Sequence, residues 1–297
     1  MSNDHRIADI RTEGTFPLES SATAANGNHL SESQRGEEVS FSSGDQLGPT
    51  GQLERIIDEN DLLPVAFLES GASRQRSIAR VTLREPHRGL NAGSGWGTGF
   101  LVSPSLFLTN NHVIREAGFL RKIRFEFNYQ VTLDGFETIP ESYLAAADGF
   151  LHTNVDLDYT LVRLNPGPIQ NDGTPIPPGN RWGSIQLEPF VQFREEQHFN
   201  IIQHPNGRRK EVALQDNEIA KLFRNIVLYK GDTEPGSSGS PVFDNVWQLV
   251  ALHHAGGETN AEGDFVNNEG IRIDRIVEDL RETFQNSSEI LTELGIA

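Results

Sequence analysis

The chain of 297 residues contains no cysteine, so it has no disulfides, no thiolate-ligated zinc and no thiol nucleophile. It is short of basic residues, with 25 Lys and Arg against 42 Asp and Glu, a formal net charge of -17. That balance argues against nonspecific nucleic-acid binding, which needs basic patches. No run of the sequence is long and apolar enough to cross a bilayer, so no membrane role is expected. The beginning, MSNDHRIADIRTEG, has no apolar core of the kind secretory signals carry, and the expected setting is cytoplasmic. Residues 1–50 have few large apolar side chains and much Ser, Gly, Asn, Thr and Glu, and they read as a disordered N-terminal segment.

Patterned sequence begins after that. Residues 51–76 read as a helical lead-in, with Leu53, Ile56 and Ile57 on one face and a stop at Leu62-Leu63-Pro64. In SIARVTLRE, Ala79, Val81 and Leu83 alternate with Arg80, Thr82 and Arg84, as a half-buried strand requires. Short strand patterns recur at 99–102, 106–109, 123–129 and 159–164, and again at 199–203, 211–214, 226–229, 241–243 and 249–252. Between these groups lies an aperiodic, proline-rich connector at 165–180. Near the end, Ile276, Val277, Leu280 and Phe284 form a helical stripe with Asp274 as the N-cap. The pattern predicts an all-β fold of two antiparallel barrels, although a single β-sandwich has the same strand spacing.

Three segments place polar residues at the ends of apolar strands. GTGFLVSPSLFLTNNHVI forms a hairpin whose second strand leads to His112, where a lone histidine is ordinarily a core or surface residue. NVDLDYTLVRL sets Asp158 directly before a strand, with Asp156 as its competitor. An acid there can accept the Nδ1 proton of a histidine and fix its tautomer. PGSSGSP places Ser238 between Gly236 and Gly239, in a turn tight enough to point backbone N–H groups at an oxyanion. Flexible Gly/Ser linkers are not flanked on both sides by buried-type strands, which sets this turn apart from a linker. The order His112, Asp158, Ser238 is that of chymotrypsin and the reverse of the α/β-hydrolase order.

The motifs GTGFLV, LTNNHVI, DYTLVRL, GSSGSPVF, VALHHAGG and NEGIRI resemble those of trypsin-like serine peptidases, in particular the bacterial V8-like glutamyl endopeptidases. The resemblance covers residues 75–285 and stops short of the first 50. It implies two six-stranded antiparallel barrels of the chymotrypsin type, at about 77–164 and 181–273, joined by the linker 165–180. A C-terminal helix at 274–285 and a tail at 286–297 follow. It also implies a serine endopeptidase with His112 as general base, Asp158 as orienting acid and Ser238 as nucleophile. The N–H groups of Gly236 and Ser238 form the oxyanion hole, and Ala255 and Gly256 line the substrate backbone. Neither a metal nor an organic cofactor is required. The partner is a protein or peptide substrate, and the N-terminal segment is expected to dock a partner in intracellular limited proteolysis.

Two features of the specificity pocket conflict. Asp232 stands where trypsin relatives carry the acid that selects Arg or Lys at P1. Thr233 and His253 match the positions by which V8-like enzymes bind glutamate, and His253 paired with Asp232 would leave the pocket nearly neutral. Asp232 capping its own turn is the bland alternative. Vertebrate digestive enzymes carry an acid before the nucleophile that pairs with a freshly cut N-terminus; here Ser237 stands there, so cleavage before Ser77 is not expected to be needed for activity. His253 and His254 should point to opposite faces of a strand and so share no metal. NIIQHPNGRRKEVAL reads as a hairpin turning at Asn206-Gly207, with His204 structural and Arg208, Arg209 and Lys210 a solvated basic tip. A catalytically silent relative acting as a binding module is the competing expectation.

Overall fold

Alternation between two faces governs the described chain. The computed structural model describes residues 62–167, 175–194, 197–214, 217–263 and 265–297. The N-terminal segment 1–50, the stripe Leu53, Ile56 and Ile57, and the middle of the 165–180 connector lie outside those residues.

The first sheet is built from β1 (Ile78–Leu83), β2 (Gly95–Leu101), β3 (Leu106–Thr109), β4 (Ile123–Phe127), β5 (Glu141–Tyr143), β6 (Leu151–Asn154) and β7 (Tyr159–Arg163). It is antiparallel and seven-stranded, in the order β5-β4-β1-β2-β3-β7-β6. The chain leaving β5 crosses to the end of β7, where Ala146 N–H donates to Arg163 O at 2.7 Å and Asn165 N–H to Leu144 O at 2.8 Å. This closes a six-stranded barrel, with β6 as an added strand.

The second sheet comprises β8 (Asn200–Gln203), β9 (Glu211–Ala213), β10 (Ile219–Leu222), β11 (Ile226–Tyr229), β12 (Pro241–Phe243), β13 (Leu249–Gly256) and β14 (Asn268–Arg272). Its order is β10-β11-β14-β13-β12-β8-β9, again antiparallel. Phe199 N–H donates to Asn217 O at 2.9 Å and Ile219 N–H to Gln197 O at 3.1 Å, joining the lead-ins of β8 and β10 and closing the second barrel, with β9 added outside. Closure of both sheets into barrels excludes the sandwich.

The core follows the strand period. Ala79, Val81, Leu101, Phe107 and Val162 fill the first barrel, while Ile78, Phe100, Leu106, Leu108 and Leu161 on the opposite faces pack against the second. The apolar interior of the second barrel therefore continues into the interface between the two, and the catalytic candidates lie at the open end of that interface.

Four α-helices occur among the described residues: α1 (Ala66–Arg74), α2 (Pro178–Trp182), α3 (Ile273–Thr283) and α4 (Ser288–Leu294). The stretch 286–297 thus carries a helix of its own. In α3 the buried stripe is Ile273, Ile276, Val277 and Leu280. Asp274 is not its cap: β14 runs straight into the helix, Arg272 takes the cap position, and Asp274 lies buried in the first turn. There it is ion-paired with Arg272 at 2.8 Å and Arg275 at 3.3 Å.

Candidate active site

Each candidate side chain sits where a strand ends. β3 delivers Asn110, Asn111 and His112 into a tight turn, and the β6–β7 turn delivers Asp158. Asp158 adopts a left-handed backbone (φ 39°), a conformation that aspartate tolerates better than most residues, and Asn110 Nδ2 donates to its carbonyl oxygen at 2.9 Å. The carboxylate is thereby aimed inward. Its Oδ2 accepts from His112 Nδ1 at 2.7 Å and its Oδ1 from the His112 backbone N–H at 2.9 Å. Burial opposes the charge on Asp158, but the neighbouring His112 and His254, and the hydrogen bonds from them, hold the carboxyl well below the usual range. Asp156 is exposed and turned away; its N–H donates to Asn154 Oδ1 at 2.9 Å.

The second barrel brings up the serine turn between β11 and β12. Thr98, buried in β2, donates through Oγ1 to Gly236 O at 2.7 Å and through N–H to Ser238 O at 2.9 Å. Gly239 N–H donates to His253 O at 3.0 Å, and His253 N–H to Ser240 O at 2.9 Å. Gly236 (φ 100°) and Gly239 (φ 86°) are both in the left-handed half of the map. The N–H groups of Gly236 and Ser238 donate to no acceptor among the described residues, which leaves them for an incoming oxygen. Half-buried Ser238 directs its hydroxyl to His254 O in a long hydrogen bond of 3.5 Å.

The front of the turn is held without a chain terminus. Ser237 is buried, and its Oγ accepts from Glu234 N–H at 3.3 Å. Asn206 N–H donates to Pro235 O at 2.6 Å, and Arg208 grips both oxygens of Glu234, at 2.5 and 2.9 Å. The hairpin tip from 204 to 210 is therefore not a solvated basic loop. Arg208 also binds Glu211 at 2.7 Å, Arg209 pairs with Glu137, and Lys210 Nζ donates to Gln75 O at 2.6 Å. His204 is buried with Nδ1 3.0 Å from Arg208 O, a structural role, and burial drives its pKa well below the ordinary value.

Beside Ser238 opens a cavity of about 1020 Å³ lined by Asp232, Thr233, His253, Ala255 and Gly256 among others. The β12 partner ends at Leu252, so Ala255 and Gly256 present a free strand edge along the cavity while pairing with β14 on their other side. His253 does not pair with Asp232. Its Nδ1 meets the Tyr229 hydroxyl at 2.7 Å, and its pKa falls to about 3, through burial first and then through His254 and His112. Asp232 is exposed at the rim, with its backbone oxygen accepting from Gln203 Nε2 at 2.9 Å. Thr233 Oγ1 donates to Asn268 Oδ1 at 2.7 Å, and Asn268 Nδ2 to Gly231 O at 2.6 Å.

The residue that sequence reasoning missed is His254. Alternation holds, since His253 and His254 face opposite ways. The second face, however, is turned to the first barrel, where His254 Nδ1 lies 2.5 Å from Asp158 Oδ2. His112, Asp158 and His254 are the one group of three metal-type ligands among the described residues. Both rings aim Nδ1 at a single carboxylate oxygen within hydrogen-bond distance, and the group reads as a hydrogen-bonded row.

A family model described as "Trypsin-like peptidase domain" matches residues 97–252, just over half of the chain. Among curated proteins, the chain is 36% identical over 214 residues to an uncharacterized protein, y4fB, of Sinorhizobium fredii (strain NBRC 101917 / NGR234), covering 69% of this chain and 31% of that protein. It is 32% identical over 188 residues to "Secreted RxLR effector protein 73" of Plasmopara viticola, covering 57% of this chain and 44% of the effector. The chain spans less than half the length of these two relatives. Among solved structures, a Glu endopeptidase in complex with MPD is similar at 18% identity and a TM-score of 0.47, over 70% of this chain and 90% of that one. No helix among the described residues is long and apolar enough to cross a membrane.

Proposed function

Because the chain belongs to the trypsin-like peptidase domain family, we propose that it is a serine endopeptidase working through an acyl-enzyme on Ser238. The observation that carries this reading is the His112–Asp158 pair facing a glycine-bounded serine turn with two undonated N–H groups. Asp158 accepts a hydrogen bond from His112 Nδ1–H and keeps its negative charge, leaving Nε2 to accept the Ser238 proton as the hydroxyl attacks a peptide carbonyl. Gly236 and Ser238 N–H groups receive the oxyanion. The same histidine returns the proton to the leaving amine and then activates the water that releases the acyl group. Among the described residues no hydrogen bond yet joins Ser238 to His112, and such contacts commonly tighten only when substrate binds.

For the P1 residue, the inner wall of the cavity favours an acidic side chain. The pKa of Tyr229 is raised well above its ordinary value by burial, so its hydroxyl keeps its proton and has it available for His253 Nδ1, 2.7 Å away. With Tyr229 as the donor, the His253 proton sits on Nε2 and suits a carboxylate, with Thr233 beside it in the same wall. Asp232 at the rim supports the second reading, a basic P1 side chain.

The test is labelling with a fluorophosphonate followed by a peptide-library cleavage profile. Wild type should label and Ser238→Ala should not; an unlabelled wild type would make the fold a silent binding module. Cleavage after glutamate that is lost in His253→Gln and kept in Asp232→Ala supports the acidic pocket. Cleavage after Arg or Lys that is lost in Asp232→Ala assigns the other.

A further inference from the structure

The catalytic carboxylate accepts one imidazole more than the proposed mechanism uses. Asp158 Oδ2 receives His112 Nδ1 at 2.7 Å from its own barrel and His254 Nδ1 at 2.5 Å from β13 of the other. His254 is 2% exposed. Its far nitrogen, Nε2, lies 3.8 Å from Oε1 of Glu269, a β14 residue with no exposed surface. The two imidazole rings of His112 and His254 meet edge to face at 5.9 Å. A row of His112, Asp158, His254 and Glu269 thus crosses from one barrel into the other, with acids and imidazoles in alternation.

Charge arithmetic restricts the protonation of this row. Two carboxylate charges facing the same buried ring, Asp158 at Nδ1 and Glu269 at Nε2, favour a proton on both of its nitrogens. One proton on His254 cancels one of them and gives each ring nitrogen an acid to face. Two further titratable groups described around the row carry no positive charge. His253, the neighbour on β13, is kept neutral by burial and by His254 and His112. Tyr229, approaching from β11, is held protonated and neutral by burial and by Glu269. His112 must stay neutral in the resting state to act as a base.

We propose that His254 is a positioning residue for the reaction: an imidazolium clamped between Asp158 and Glu269, which fixes the carboxylate that orients His112 and also sets the acidity of His112. The proposal rests on the serine endopeptidase reading. A positive charge on the far side of Asp158 weakens the pull of that carboxylate on a proton at His112. The base therefore becomes available at a lower pH than Asp158 alone would allow.

Substituting His254→Asn keeps an N–H donor close to the place of Nδ1 and removes the charge. The acid limb of the kcat/KM profile should then move up by about one pH unit. His254→Ala loses donor and charge together; kcat should fall on the order of 10- to 100-fold while KM stays within about twofold. At a pH above the shifted limb, the Asn variant should recover most of the kcat lost in the Ala variant. Glu269→Gln should change kcat/KM in the wild-type background and by less than about twofold on top of His254→Asn, because it acts through the histidine.

A readout independent of turnover is the proton NMR spectrum, in which wild type should show two strongly downfield ring N–H resonances and His254→Asn only one. If wild type failed to label with a fluorophosphonate, the enzyme reading would fall while the spectrum still decided the clamp. An acid limb that does not move in His254→Asn, or a single downfield resonance in wild type, overturns the proposal.

Discussion

Gly239 stands directly behind the serine, at φ 86°, where a Cβ would overlap the carbonyl oxygen of Thr98 and the hydroxyl of Thr109. Both atoms belong to the wall against which the turn is pinned, since Thr109 Oγ1 itself donates to Thr98 O at 2.7 Å. Gly239→Ala therefore meets two penalties, left-handed backbone strain and overpacking, together about 2–5 kcal/mol. Gly89, at φ 84°, has nothing within 4 Å of the same added atom and isolates the first penalty. Gly89→Ala should cost roughly 1–2 kcal/mol. Urea titrations should reproduce that difference, and fluorophosphonate labelling should slow in the Gly239 variant alone. At this scale the residues His112, Asp158, Ser238 and Gly239 were legible, because each follows or precedes a strand at a spacing that only a few folds share. His254 was not. Its role depends on which strand face is turned toward the other barrel, and the period of a strand says that two faces exist without saying what each one meets.

Between residue and molecule, the helices are where local pattern and tertiary contact part company. The stripe Ile276, Val277 and Leu280 was readable as the apolar face of a helix, but the short α1 and α4, besides packing apolar residues on the core, are each fastened to the barrels by a contact that local pattern does not announce. α1 is fastened by Trp247, whose Nε1 donates to Phe67 O at 2.7 Å and whose ring lies 5.0 Å from that of Phe67. α4 is fastened by Glu293, which accepts from Ser103 Oγ at 2.8 Å, Ser105 Oγ at 2.5 Å and Arg163 Nη2 at 3.1 Å. The three donors come from the β2–β3 turn and from β7 of the first barrel, far away in sequence, so no window of residues near 293 could have announced them. Arg163 and the two serines draw the pKa of Glu293 below its ordinary value against the opposing effect of burial. Glu293→Ala removes a charged acceptor from three donors at once and should cost about 1–3 kcal/mol. Glu293→Gln should recover part of the loss. A destabilisation below about 0.5 kcal/mol in urea would place this contact among exposed ion pairs of little consequence.

For the molecule as a whole, the two-barrel architecture was legible because the strand patterns fall into two groups around a proline-rich connector. The closing bonds were not, since they join segments whose pairing is set only when the sheet curls. Closure also buries histidines. His204 has no exposed surface and His253 is 3% exposed; both lose basicity through burial, His253 to about 3. An unfolded chain binds protons at these positions near the ordinary histidine value of about 6.5, whereas the folded chain does not. Their contribution to stability is therefore complete above that value and declines as pH falls toward the folded pKa. Each histidine should remove roughly 1.4 kcal/mol per pH unit in that window. Asp158, with its pKa lowered, acts in the same direction but only below the ordinary aspartate range, so it leaves the window near pH 5–6 to the histidines. Unfolding free energies measured in urea at about pH 6 and about 5, where a protonated His254 adds no slope, should fall along this line. His204→Gln should make it shallower by removing one of the buried groups. A wild-type stability that stays flat over that interval would mean that the buried rings take up protons in the folded state, and the neutral His253 donor assigned to the P1 pocket would lose its basis.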